Sequence, residues 1–243
     1  MNLFFLWLVL TVNPLMDWAM LAQEAYQTGN YHDAIVYYEV GIEAGFQSAE
    51  LYFNLGNSYF ELGDYGQALL YYRRAGQFSP RDETIQANIE RIRALRRDYQ
   101  QQSVHWGDYI ADATAIFLRW DEMLWLGGLA WGYGCFLIGY GLVKPSFLRQ
   151  RTLIVINFCI VGVILMCVGV RYYSTTYRPE AIITAPSAPV MSGASQDYLT
   201  LYTLYAGAEL RIVAREGGWA RLILPDGSSG WINRFDFDYI SKR

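Results

Sequence analysis

The chain has 243 residues, of which 53% are hydrophobic, 16% aromatic and only 17% charged. Soluble domains carry about 25% charged residues, so part of this chain is predicted to lie outside water. The net charge of −4 argues against nucleic acid as a partner, because its phosphates are bound by a basic surface. The cysteines, Cys135, Cys159 and Cys167, all fall in long apolar segments, where we expect neither a disulfide framework nor a zinc site.

The first 14 residues contain an apolar run, Leu3 to Val12, that is too short to cross a bilayer. Such a run is typical of the hydrophobic part of a secretory signal. No Lys or Arg precedes it and no clear cleavage site follows it. The sequence therefore leaves open whether residues 1–14 are removed or remain as an anchor.

Residues 15–82 repeat with a period of 34, as two copies at 15–48 and 49–82. In the second copy, small residues at Gly56 and Ala68 let two helices touch, and Gly63 ends the first helix. The first copy is degenerate but in register. The second copy resembles the tetratricopeptide repeat position by position, through Tyr52, Leu55, Gly56, Tyr59, Gly63, Asp64, Tyr65, Ala68, Tyr72, Ala75 and Pro80.

A third helical segment follows at 82–102 and completes a predicted repeat domain at 15–102. Its apolar stripe, formed by Ile85, Ile89, Ile92 and Leu95, is typical of the capping helix of a short array. Its arginines, Arg91, Arg93, Arg96 and Arg97, are interpreted as a solvated face, or as a face that meets anionic lipid.

Repeats of this kind have no chemistry of their own and present a groove to a peptide or a helix. A groove that binds a partner's C-terminal carboxylate is not expected, because Ala19, Gln23 and Ala87 depart from the basic and amide residues it needs. We predict a more apolar, partner-binding groove. The alternative is that its aromatic residues pack against the N-terminal segment or the amphipathic segment of the chain itself. The predicted groove residues are Gln23, Tyr26, Phe53, Asn57, Phe60, Glu61 and Arg91.

Two apolar segments, 122–143 and 152–170, are long enough to span a bilayer as helices, and the first carries no charge from residue 123 onward. The loop that joins them, 144–151, contains Lys144, Arg149 and Arg151 and no acidic residue, so we expect it in the cytoplasm. An amphipathic juxtamembrane helix is predicted at 103–121. The repeats and the C-terminal segment would then both lie outside the cytoplasm.

Gly128 and Gly132 form a small-residue pair in the first span, and Asn157 is the strongly polar side chain deep in the second. Small residues allow helix backbones to approach closely in lipid. We predict that all three residues pack the two spans together; the alternative partner for the glycines is a helix of another protein. One polar side chain is too few for an ion pathway.

Beyond residue 178 the pattern changes to short β runs separated by turn residues. The runs predict five strands, at 181–184, 198–204, 209–214, 219–224 and 230–233. We expect Trp219 and Trp231 to fill the interior, and Tyr198, Tyr202 and Tyr205 to form an exposed binding surface. Residues 180–243 resemble a bacterial SH3 (SH3b) domain, through Gly218-Trp219, Leu222, Pro225-Asp226-Gly227 and Gly230-Trp231-Ile232.

No nucleotide-binding glycine motif, nucleophile motif or metalloprotease motif is present. With His32 and His105 as the two histidines, most zinc and nucleophilic chemistry is excluded. We predict that the chain is not an enzyme and needs no cofactor, metal or small-molecule substrate.

The order of these parts resembles the E component of the Bacteroides aerotolerance (Bat) proteins. The predicted fold class is a multidomain α + β membrane protein with a tetratricopeptide α-solenoid, a two-helix transmembrane hairpin and a C-terminal SH3-like β-barrel. The resemblance implies a two-pass bacterial inner-membrane scaffold with both modules in the periplasm. It also implies a role in oxidative-stress tolerance, beside von Willebrand A-domain proteins and a MoxR-type ATPase. The alternative is an adaptor that binds peptidoglycan and recruits an envelope enzyme.

Overall fold

The computed structural model describes residues 18–95, 120–143, 151–177 and 179–241. These residues form two compact units. The first contains the helical repeats and the C-terminal sheet, and the second contains the two long apolar helices. The predictions for residues 1–14 and for most of segments 103–121 and 144–151 lie outside the described residues.

The described residues of the repeat region, 18–95, form five helices. Gly29 and Gly63 turn the chain between paired helices with φ of +80° and +76°, a left-handed conformation that glycine adopts without strain. Ser48 and Asp64 cap the two helices of the second pair by accepting hydrogen bonds from backbone N–H groups. The helices are α1, described over 18–27, α2 (Tyr31–Glu43), α3 (Ala49–Glu61), α4 (Tyr65–Phe78) and α5 (Glu83–Leu95).

The helices pack through small residues placed beside large aromatic ones. Ala34 and Ala68 are fully buried, and the tyrosines that follow them by four residues, Tyr38 and Tyr72, are almost fully buried. A Cβ added to Gly56 would lie 2.7 Å from the Tyr72 ring, so a glycine is needed where this ring crosses α3. The apolar stripe of α5, Ile85, Ile89 and Ile92, completes the core.

The C-terminal residues 179–241, called the β module below, form one antiparallel sheet in the order β3-β2-β6-β5-β4-β1-β7. The sheet has seven strands rather than the five predicted, and the two additional strands are β2 and β7. The edges are β3 and β7, and no ladder within the described residues joins them. The strands are β1 (Glu180–Ile183), β2 (Ser187–Met191), β3 (Thr200–Tyr205), β4 (Glu209–Glu216), β5 (Trp219–Ile223), β6 (Ser229–Asn233) and β7 (Phe237–Tyr239).

The core of the sheet is aliphatic, with Phe237 as its one fully buried ring among the described residues. In β5, Ala220 and Leu222 are buried and Trp219 is half-buried; in β6, Ile232 is buried and Trp231 is half-buried. Because side chains alternate between the two faces of a strand, both tryptophans lie on the face opposite the core. The expectation that they fill the interior is wrong.

The β module packs directly against the repeats. Ile182 and Ile240 are buried in the same apolar cluster as the repeat core. The buried guanidinium of Arg74 donates hydrogen bonds to the carbonyl oxygens of Tyr239 and Ile240, at 2.8 and 3.2 Å. These contacts, with the ion pairs described below, form the junction of the two modules.

The second unit is an antiparallel pair of helices, α6 (Trp120–Val143) and α7 (Arg151–Tyr177). Each contains a segment long and apolar enough to cross a membrane, Asp121–Tyr140 and Thr152–Tyr173. Only 17% and 11% of their most apolar windows are buried in the protein, unlike the core helix of a soluble domain.

The two helices meet at positions other than the predicted glycine pair. Asn157 donates a hydrogen bond to the Ala130 carbonyl oxygen at 3.1 Å, so this amide does lie between the helices. A Cβ at Gly134 would lie 2.5 Å from the Asn157 Oδ1 atom. At Gly128 and Gly132 an added Cβ meets nothing within 4 Å. The prediction that these two glycines contact the second span is wrong, because they lie on the outer side of α6.

Candidate functional site

The residues predicted to form the repeat groove lie on alternate helices. Gln23 and Tyr26 are on α1, four residues follow on α3, and Arg91 is on α5. Two rings, Phe53 and Phe60, are half-buried rather than fully enclosed. These side chains, carried by α1, α3 and α5, are together called the repeat groove.

The floor of the groove is fixed by Tyr72, which sequence reasoning placed in the repeat motif but not in the groove. Its hydroxyl donates a hydrogen bond to Asn57 Oδ1 at 2.7 Å, and its ring centre lies 5.5 Å from that of Phe53. One period earlier, the Tyr38 hydroxyl donates to Gln23 Oε1 at 3.4 Å. The repeat period could have indicated this contact from the sequence, because Tyr38 and Tyr72 are 34 residues apart, as are Gln23 and Asn57.

The two ends of the groove are also aromatic. The Arg91 guanidinium lies 4.6 Å from the centre of the Phe60 ring, at a distance typical of a cation–π contact. Phe60 also contacts Tyr65, with ring centres 5.5 Å apart. At the other end, the rings of Tyr26 and Tyr31 meet edge to face at 5.4 Å.

Burial and the charged side chains of the repeat groove change the pKa values of its tyrosines. Burial is the main cause that raises the pKa of Tyr72, with further contributions from Tyr26 and the Glu61 carboxylate, opposed by Arg91. Burial and Glu61 likewise raise the pKa of Tyr26. Both hydroxyls therefore stay protonated at neutral pH and serve as hydrogen-bond donors. The groove combines aromatic surface, neutral polar groups, one acid and one base.

A network of ion pairs lies at the junction of the repeats and the β module. Arg93 donates two hydrogen bonds to the Glu209 carboxylate, from Nε at 2.9 Å and from Nη2 at 2.8 Å. Arg73 pairs with both Glu180 and Glu209, and Arg211 pairs with Glu180 at 2.8 Å. This network was missed from the sequence, because its members are far apart in the chain and Arg93 was interpreted as solvated.

Glu209 is the most enclosed carboxylate of this network. Burial alone would raise the pKa of this carboxyl group, but the charges of Arg73 and Arg93 and the hydrogen bonds from Arg93 outweigh it. The net effect holds the pKa of Glu209 below its usual value. The carboxylate is therefore charged at neutral pH and binds the two helices α4 and α5 to β4.

The β module has a cleft of about 460 Å³ on the outer face of its sheet. Trp219 and Phe235 supply its aromatic surface, and Asn233 and Asp236 supply polar groups. Burial raises the pKa of the Asp236 carboxyl group. This cleft, called the sheet cleft, is further lined by Pro189, Met191, Gln196 and Thr200.

The three tyrosines predicted as a surface of the β module do not line the sheet cleft. Tyr198 is 55% exposed and lies against Gly193, and Tyr205 is 41% exposed at the end of β3. Tyr202 is half-buried and packs against the sheet core. Trp219, which we had expected inside, and Phe235 are the aromatic residues of the cleft that sequence reasoning missed.

In the part of the chain that the structure describes, no three His, Cys, Asp or Glu side chains come together in a way that could hold a metal ion. A family model of the tetratricopeptide repeat matches residues 49–82, which are α3, α4 and the turn after them. Members of this family typically act as protein-interaction scaffolds. A comparison of the sequence with curated proteins finds no match.

Proposed function

We propose that this chain is a non-enzymatic scaffold, anchored in a membrane by α6 and α7, which binds a partner protein in the repeat groove. The observation that carries the proposal is the groove itself. Phe53 and Phe60 on α3 and Tyr26 on α1 offer aromatic surface, while Tyr72 on α4 fixes the amide of Asn57. Aromatic residues of this kind are the anchors that protein interfaces use most.

The chemistry of the groove points to a partner segment with apolar side chains. A segment with a basic group near Glu61 and an acidic group near Arg91 would complement both charges of the groove. The Tyr72 hydroxyl donates one hydrogen bond to the Asn57 amide oxygen, so Asn57 offers a ligand its amide nitrogen as a donor and the second lone pair of that oxygen as an acceptor. A bare C-terminal carboxylate is a poorer fit, since α1 supplies no basic residue to the groove.

The junction supports a membrane topology with both modules on the same side. Residues before and after the hairpin are joined by Arg93–Glu209, Arg73–Glu180 and the buried Ile240. Two modules in direct contact cannot lie on opposite sides of a bilayer. The chain between them therefore crosses an even number of times, which agrees with two spans and a basic cytoplasmic loop.

The resemblance to the Bacteroides aerotolerance proteins extends this proposal to the partners and the location. On that basis the membrane is the bacterial inner membrane and the two modules are periplasmic. The partners would be von Willebrand A-domain membrane proteins linked to a MoxR-type ATPase, in an assembly for oxidative-stress tolerance.

A second candidate function is that of a peptidoglycan-binding adaptor, and the sheet cleft is the observation that favours it. Trp219 and Phe235 offer stacking surface, and Asn233 and Asp236 offer hydrogen-bonding groups. Wall peptides carry carboxylates, however, and Asp236 is the acidic group of the cleft. We therefore rank this function second.

A crosslinking pull-down from membranes tests the scaffold directly. Phe53→Ala/Phe60→Ala removes two rings of the groove, and Val36→Ala/Val40→Ala removes two exposed apolar side chains from α2 as a matched control. The scaffold predicts that the first variant loses its protein partners and that the second retains them, with equal helical content in both. Retention of all partners by the first variant would exclude the groove as the binding site.

The second candidate has its own experiment. The full-length protein in detergent is sedimented with purified peptidoglycan, and wild type is compared with Trp219→Ala/Phe235→Ala. Co-sedimentation that this change abolishes would promote the adaptor function. If the wild-type protein does not co-sediment with peptidoglycan, the adaptor function is excluded.

A further inference from the structure

One side of the sheet cleft is formed by residues 233–236, the end of β6 and the turn before β7, called the rim below. Backbone hydrogen bonds fix the rim to two other parts of the sheet. The Arg234 N–H donates to the Gly218 carbonyl oxygen at 3.0 Å. The Asp236 carbonyl oxygen accepts from two N–H groups of the turn after β1, at 3.0 and 3.2 Å. The side chains of the rim therefore start from a backbone that the sheet holds in place.

The Asp236 carboxylate lines the cleft without a counter-ion among the described residues. Burial raises the pKa of this carboxyl group, and no nearby guanidinium opposes that effect. Arg234 is directed elsewhere, since it donates to the Phe237 carbonyl oxygen at 2.8 Å and lies 5.2 Å from the centre of the Tyr239 ring. Arg221, on the outward face of β5, does not line the cleft. A partly buried carboxylate of this kind is stabilised by a cation that enters beside it.

Two aromatic rings line the same cleft as this carboxylate. Phe235 directly precedes Asp236 and is 90% exposed, the highest fraction for a large apolar side chain among the described residues. Trp219 is half-buried on the outward face of β5. A guanidinium can stack on a ring by its face while its edge donates two parallel hydrogen bonds to a carboxylate. The ammonium group of lysine is a compact, strongly hydrated charge and cannot do both. The cleft therefore suits arginine better than lysine.

We propose that the sheet cleft binds an arginine side chain of a partner protein, with its guanidinium against the two rings and paired with Asp236. Charge complementarity selects this occupant, because the residues that line the cleft include one carboxylate and no basic side chain. Asn233 accepts a hydrogen bond from the Phe235 N–H at 3.1 Å, and its amide nitrogen can donate to a main-chain carbonyl oxygen beside the arginine. The site belongs to the β module, so it stands or fails independently of the repeat groove.

Fluorine NMR of the full-length protein in detergent, labelled with fluorotryptophan, tests the proposal. The signal of Trp219 is assigned by its loss in Trp219→Phe. The probe is N-acetyl-arginine methylamide, and its control is the citrulline analogue, which has the same shape without the charge. We expect the arginine probe to shift the Trp219 signal saturably and the citrulline probe to bind roughly tenfold more weakly. This comparison is made on the wild-type chain, so the folding of a variant does not affect it.

A pair of matched variants locates the charge that binds the probe. Asp236→Asn keeps the shape of the side chain, and we expect it to weaken binding of the arginine probe roughly fivefold or more. Asp226→Asn removes the same charge from an exposed turn outside the cleft and should have no effect.

Three results would overturn the proposal. The first is a Trp219 signal that the arginine probe leaves unchanged. The second is equal binding of the citrulline probe, and the third is equal binding by wild type and Asp236→Asn. A Trp219 signal that responds to a soluble peptidoglycan fragment but not to the arginine probe would assign the cleft to the wall instead.

Discussion

Arg93 and Glu209 are 116 residues apart in the sequence, yet the guanidinium of one donates two hydrogen bonds to the carboxylate of the other. A planar guanidinium matches a carboxylate in this bidentate geometry, which fixes orientation as well as distance. The pair holds α5 against β4. Together with Arg74, which binds two carbonyl oxygens of the last strand region, it makes the repeats and the β module one body.

The close approach of α4 to the β module gives the first prediction. A Cβ at Gly66 would lie 2.9 Å from the Ile183 carbonyl oxygen and 3.1 Å from the Ala206 Cβ. Gly66→Ala must push the modules apart, and we expect it to lower the free energy of unfolding by about 1–3 kcal/mol. Urea unfolding of the protein in detergent measures this.

Gly76, in the same helix, provides the matched control for that change. Its added Cβ would meet no atom closer than 3.8 Å, so it fits without displacement. Gly76→Ala should leave the stability unchanged or raise it by up to about 1 kcal/mol, because alanine favours a helix. Equal effects of the two changes would show that the junction is not tightly packed at Gly66.

The second prediction concerns pH. The folded-state pKa of Glu209 is below its usual value of 4.5, so this carboxylate stabilises the folded protein above that pH. As the pH falls below about 4.5, the unfolded chain takes up the proton first. The contribution therefore shrinks, and it is lost once the pH passes below the folded-state pKa.

Glu209→Gln removes this dependence. We expect the variant to be less stable than wild type at pH 7, by roughly 2–4 kcal/mol, since two partly buried arginines each lose one of their carboxylate partners. The two stability curves should converge as the pH falls below the folded-state pKa of Glu209. Glu90→Gln is the control, because Glu90 is 62% exposed and should matter little. Parallel curves for wild type and Glu209→Gln would contradict the assignment.

The third prediction concerns the floor of the groove. Tyr72→Phe removes the hydroxyl that donates to Asn57 at 2.7 Å, and should cost about 1 kcal/mol of unfolding free energy. Tyr38→Phe removes the equivalent but longer contact to Gln23, at 3.4 Å, and should cost less. Thermal unfolding of both variants gives the comparison. A larger loss for Tyr38→Phe would mean that the two repeats are not equivalent in this respect.

Most of the repeat region could be predicted from the sequence because its signals are local. Gly63, Ala68 and Tyr72 define one turn and one helix contact within ten residues, and the same pattern recurs one period earlier. The two long apolar helices, α6 and α7, were likewise visible as long apolar runs. The side of α6 that contacts α7 was predicted wrongly, because a nearly uniform apolar helix carries no pattern that marks its contact side. Gly128 and Gly132 face outward.

The β module and the junction were harder, for physical reasons. Strand β2 contains Pro189 and strand β7 has three residues, so neither carries a strong strand signal. Trp219 and Trp231 were expected in the core because of their size. Side chains alternate along each strand, however, and it is Ala220 and Ile232 that face the core. The junction depends on charges such as Arg73 and Glu180, which no local pattern can pair.

The repeats and the β module are proposed to lie as one body on one side of a membrane. Thiol accessibility in intact cells tests it most directly, in a chain without native cysteines. Gln77→Cys reports on the repeats, Glu216→Cys on the β module and Ser146→Cys on the predicted loop. We expect a membrane-impermeant maleimide to label the first two from outside the bilayer, and the third only after the membrane is opened. Labelling of only one of the two modules in intact cells would contradict the account.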